Sequence, residues 1–79
     1  MRILYMATSG SADPTRASLP WHLAVNGSVA IDHDAGIVLA GDSTEFLLPA
    51  VLEGAEGLGL PPLRELVAKG REHQLAVYV

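Results

Sequence analysis

The sequence predicts an α/β domain, a parallel sheet between helices in three α/β/α layers with the chain order β-α-β-α-α-β. Short runs that are apolar at nearly every position carry that expectation: Ile3-Leu4-Tyr5-Met6-Ala7, Ala35-Gly36-Ile37-Val38-Leu39-Ala40 and Leu75-Ala76-Val77-Tyr78-Val79. Each has the length of a strand, and a strand apolar on both sides of its pleat belongs in a parallel sheet covered on both faces. The stretches between them carry helix start signals, and strands alternating with helices connect through right-handed crossovers. A chain of 79 residues supports a single domain, here 1–79. A domain of that size buries only roughly 60–65% of its unfolded surface, so its core is marginal.

In the first connection, Asp13 is placed to cap a helix, and Pro14 fits its first position, where a missing N–H costs nothing. Leu19 and Leu23 share one face. Pro20, in the second turn, should bend the helix. The helix either ends at Asn26-Gly27 or, in the preferred reading, runs to Ile31, with Asp32 making a left-handed exit. After the second strand, Asp42 and Glu45 have the spacing of a capping box opening a short helix through Phe46, Leu47 and Leu48, kinked at Pro49. Gly54, Gly57 and Gly59 mark a loop, and Pro61-Pro62 restarts a helix with Leu63, Leu66 and Val67 inward. Glu65 and Lys69 are ordered for an i,i+4 ion pair. Gly70 is expected to interrupt that helix, at about 1 kcal/mol relative to alanine. The first two strands should be neighbours, and the position of the third is open. A sheet this narrow leaves hydrophobic edges that proteins normally cover or pair.

Composition removes several functions. The chain is 49% hydrophobic and 18% charged, which excludes a disordered tail. A net charge of −4 and a pI near 5.1 disfavour a surface that tracks nucleic-acid phosphates. No run approaches the roughly 18 uncharged apolar residues of a membrane span, and the apolar stretch within the first ten residues is too short for a signal peptide. A cytoplasmic protein is expected. With no cysteine, this chain has no disulfide, thiolate metal site or thiol chemistry of its own.

Ligands of parallel sheets sit outside the carboxyl ends of the strands. That rule points to Thr8, Ser9, Gly10, Ser11, Ala12 and Asp13 after the first strand, and to Gly41, Asp42, Ser43 and Thr44 after the second. Hydroxyls, a glycine and a helix start can receive an anion, with Arg16 one turn on to complete the site. The same residues also read as ordinary loop and cap positions, and Arg16 as a solvated charge. Neither a phosphate-binding GxxxxGK[ST] nor a GxGxxG motif is present. Asp32-His33-Asp34 reads as a solvated turn at the opposite end of the sheet, and His73 as a charge partner for a helix C-terminus. No zinc-enzyme spacing or nucleophile elbow occurs, so no catalytic residue, metal or cofactor is assigned.

Three stretches in register resemble the DsrE/DsrF-like family of small α/β proteins. They are the first strand running into Thr8–Ala17 with His22-Leu23-Ala24, then Val38–Asp42, then Gly57–Leu66 leading through Arg71-Glu72-His73 to Val77-Tyr78-Val79. The resemblance implies a three-layer domain assembled as homotrimers or hexamers. It also implies a cytosolic place in sulfur trafficking, where some members pass a persulfide sulfur between cysteines, and so a protein partner in that traffic. The family cysteine follows the strand matching Leu75–Val79, and this chain carries none. The resemblance therefore implies a non-catalytic, oligomerising or binding module, with Thr8–Asp13 and Gly41-Asp42 rimming the pocket. A binder of small molecules or phosphate-like anions at the first loop is the alternative. A further expectation is that these residues form the N-terminal part of a longer sulfur-relay domain whose cysteine follows Val79.

Overall fold

Both start signals of the first connection are used. Asp13 Oδ1 accepts the Arg16 amide at 3.1 Å, and Pro14 opens helix α1, Pro14–Leu23. The structure, a computed structural model, describes residues 2–79. Pro20 lies inside α1 without ending it. The chain then widens into a π-helical turn, Ala24–Ser28, tightens into a 3₁₀ turn, Val29–Ile31, and leaves at Asp32 with φ of 62°. The longer reading of this helix holds, although its second half is not α-helical. In the π turn, Asn26 Nδ2 meets His22 Nδ1 at 3.1 Å, while Asn26 Oδ1 accepts from Lys69 of the last helix. Lys69 is thereby drawn away from Glu65, and the expected i,i+4 ion pair is not formed.

The strands are β1, Arg2–Ala7, β2, Asp34–Leu39, and β3, Ala76–Tyr78. They are parallel in the order β1-β2-β3, with Tyr5 beside Ile37 and Ile37 beside Val77. That order decides the layering. A right-handed crossover lays its helices on a face set by the direction in which the next strand is added. Both connections add their strand in the same direction, so both lay helices on the same face. The predicted three layers need a sheet that reverses its direction of growth. This one has two layers.

The helix-bearing face presents Tyr5, Ala7, Ala35, Ile37 and Leu39 to Ala17, Trp21, Ala24 and Val25 from the first connection and to Leu63 and Leu66 from the second. The opposite face carries Leu4 and Met6 of β1, 58% and 65% exposed, with Val38 and with Tyr78 at 43%. The expectation that the first strand is buried on both sides is corrected here, because only its Tyr5-Ala7 side meets helices. Leu4 and Tyr78 lean over Gly36, and Arg2 donates to the Tyr78 hydroxyl at 2.8 Å across the bare face.

The second connection begins with a 3₁₀ segment, Gly41–Leu47, continues as a short helix α2, Pro49–Gly54, and ends in α3, Leu63–Glu72. Pro49 starts a new helix instead of kinking one. Gly70 does not interrupt α3. A Cβ there would meet Leu75 Cδ2 at 3.1 Å and Val25 Cγ1 at 3.4 Å, so the glycine lets α3 lie close to the π turn and to the entry of β3. Among the described residues, no helix is long and apolar enough to cross a membrane.

Candidate functional site

The loops after β1 and β2 meet at the carboxyl ends of their strands. Ala40 N–H donates to Ala7 C=O at 2.9 Å, continuing the ladder one residue beyond the strands. Gly41 then turns with φ of +58°, a left-handed conformation that favours glycine. The buried Ser43 pins both loops: its Oγ lies 2.6 Å from Ala7 O and 2.8 Å from Ala40 O and accepts the Ala40 amide at 3.0 Å. Ser43 takes the role predicted for Glu45, accepting from the amide of the N-cap residue. The N-cap position of the 3₁₀ segment is Ala40, not Asp42, and Asp42 is exposed.

Glu45 makes the decisive contact. Its carboxylate reaches into the first loop, where Ser11 N–H donates to Oε1 at 2.7 Å. The Ser11 hydroxyl lies 3.2 and 3.3 Å from the two carboxylate oxygens. Gly10 is buried beneath them, and a Cβ at that position would fall on Glu45 Oε1 and 2.7 Å from the Asp42 carbonyl oxygen. The loop does receive an anion, and that anion is the chain's own carboxylate. An external phosphate at Ser11 would have to displace it.

The remaining candidates divide. Thr8 and Ser9 line a hollow of about 310 Å³ with Tyr5, Met6, Leu19 and Arg16, at the β1 edge of the sheet. Arg16 Nε stands 3.8 Å from Asp13 Oδ2 in an exposed i,i+3 pair, one turn away from Ser11. Gly10, Ser11, Gly41 and Asp42 are thus brought together, while Asp13 and Arg16 face solvent beside them. At the other end of the sheet, Asp32, His33, Asp34 and His73 line a separate polar hollow. Among the described residues, no three His, Asp or Glu side chains are grouped to hold a metal ion.

Sequence reasoning missed Glu45 as a loop ligand, Ser43 as the pin, and Trp21. The Trp21 ring is 4% exposed, and its Nε1–H has no hydrogen-bond partner among the described residues. A capping-box spacing identified Glu45 correctly as a ligand for backbone N–H but attached it to the wrong turn. Comparison of the chain with protein-family models, with curated proteins and with solved structures finds no match.

Proposed function

We propose that this chain is a non-catalytic α/β interaction module that assembles with copies of itself through its open sheet face. By its resemblance to the DsrE/DsrF-like family, its place is in cytosolic sulfur transfer. A protein partner supplies the thiol there, because a chain without cysteine cannot carry a persulfide.

The observation that carries this reading is the bare face of the sheet. Leu4, Met6, Val38 and Tyr78 form one contiguous apolar surface with no helix over it, the kind of patch that marks an interaction site. Its charges suit contact between identical copies. Arg2 and Asp34 are register neighbours of opposite sign at one end of the face, so each copy offers a neighbouring copy both partners of an ion pair. The closed Ser11–Glu45 contact argues against the rival reading, an anion binder at the first loop.

The test is light scattering coupled to size exclusion for the chain and for Leu4→Lys and Met6→Lys. Both side chains are already exposed in the single chain, so the substitutions leave its core intact. The reading expects a trimer or larger assembly that both lysines break. Assembly unaffected by either lysine would rule out this face.

A further inference from the structure

We propose that the outer edge of β1 pairs with β1 of a second copy, antiparallel about a twofold axis at Tyr5, and so joins two three-stranded sheets into one. The contact is made by backbone at the side of the sheet, and it stands or falls independently of what covers the open face.

β1 is an outer strand in the order β1-β2-β3. Successive residues of a strand direct their N–H and C=O groups to opposite sides. The Ala7 carbonyl accepts from Ala40, beyond the end of β2, so Ile3, Tyr5 and Ala7 bond towards β2. Leu4 and Met6 therefore turn their N–H and C=O groups outward. Among the described residues, no strand pairs on that side and no turn or loop bond reaches the Leu4 or Met6 backbone. Proteins blunt such an edge with proline, lysine or a bulge. β1 has none of these: its register with β2 is unbroken, and its one charge, Arg2, stands at its start.

The strand matches itself along its whole length in one antiparallel register. With Tyr5 opposite Tyr5, Leu4 lies opposite Met6 of the second copy, and their outward groups exchange both bonds of a hydrogen-bonded pair. Ile3 then faces Ala7, and Arg2 faces Thr8, so the charge meets no like charge. A parallel pair in register would set Arg2 beside Arg2. β3, with three residues, offers a shorter edge. Room for the second strand is present. A hollow of about 310 Å³ lies along the β1 edge, between Tyr5 and Met6 of the strand and Leu19 and Leu23 of α1. Both leucines are exposed in the single chain. Tyr5 of the second copy, on the helix-bearing side, enters that hollow and covers them. On the other side, Leu4 and Met6 of both copies make one continuous apolar surface.

The chain has no cysteine, so cysteines placed in β1 report the register. Leu4→Cys and Met6→Cys chains are mixed in equal amounts and oxidised; both side chains are exposed, which keeps the core intact. Opposed positions have Cα atoms about 5.5 Å apart, within reach of a disulfide. Identical positions are set about 7 Å apart along the strand as well as across the pair, too far to bridge. The mixed disulfide is expected to dominate, and each variant oxidised alone is expected to form little. A second measurement isolates the backbone. In a synthetic chain N-methylated at Leu4, every side chain and every β1–β2 bond stays, and only an outward donor is lost. Light scattering is expected to show the assembly mass fall by about half or more, as the twofold pair comes apart. Disulfides between identical positions as abundant as the mixed one, or a mass unchanged by N-methylation, would overturn the proposal. Because the methyl group leaves the open face untouched, lysine variants that fail to dissociate the assembly would count against that face and not against this edge.

Discussion

At the scale of single residues, the account turns on Ser43 and Glu45, two polar side chains that tie the loops after β1 and β2 together. Ser43 is buried and engages backbone groups of both strands. Ser43→Ala removes the Oγ contacts to the Ala7 carbonyl and the Ala40 amide, which keep only their bond to each other, and thermal or urea unfolding should show a loss of about 0.5–1.5 kcal/mol. Glu45→Ala removes the acceptor of the Ser11 amide, in a setting partly open to water. A smaller loss, on the order of 1 kcal/mol, is expected in the same measurement. Gly10→Ala should cost more than Glu45→Ala. Glu45 can swing away from a new methyl group, but the Asp42 carbonyl, 2.7 Å from that methyl, belongs to the backbone. If Gly10→Ala unfolds like the unaltered chain, the two loops are not packed as described.

At the scale of elements, the first connection shows what a sequence can and cannot convey. Asp13-Pro14 announced the start of α1 because capping is local chemistry, settled within four residues. Asp32 announced the exit for the same reason. The π turn between them was not legible. It is held by Asn26, which reaches back to His22 and across to Lys69, and a contact spanning 43 residues leaves no local pattern. The same tertiary partner undid the Glu65–Lys69 pair. Gly70 was misread likewise, since local propensity registers only the cost of a helical glycine, while its benefit lies in the approach of Leu75 and Val25. Gly70→Ala should change unfolding free energy by less than about 1 kcal/mol, because the gain in helix propensity offsets pressure on the yielding Leu75 side chain. Gly70→Val, with two more carbons against Val25, should be clearly destabilising. Pro20 gives the opposite sign. Pro20→Ala returns a backbone donor to the middle of α1 and should raise stability by about 1–2 kcal/mol, read from the same unfolding curves.

At the scale of the whole molecule, the apolar runs identified the strands and their parallel sense, but not the order in which they lie. The step from apolar strand to covered strand failed for β1. The sequence shows that Leu4 and Met6 are hydrophobic, not that a helix will reach them. Crossover handedness together with the order β1-β2-β3 places every helix on the Tyr5-Ile37-Val77 side. The Leu4-Met6-Tyr78 side is left without a helix among the described residues. The two candidate loops were located by the rule that ligands gather at strand carboxyl ends, and they do converge there. The Glu45 carboxylate, arriving from the next element, and the pinning of both loops by Ser43 were not foreseen. The unpartnered Trp21 N–H was not legible either, because its lack of a partner among the described residues is a fact of packing.

The central claim is that the open face is an assembly surface, and sedimentation velocity of the unaltered chain over a range of micromolar concentrations tests it most directly. The account predicts a mass at least three times that of the 8.3 kDa chain, sharpening as concentration rises. A single species at 8.3 kDa throughout that range would contradict it, leaving Leu4, Met6 and Tyr78 in water.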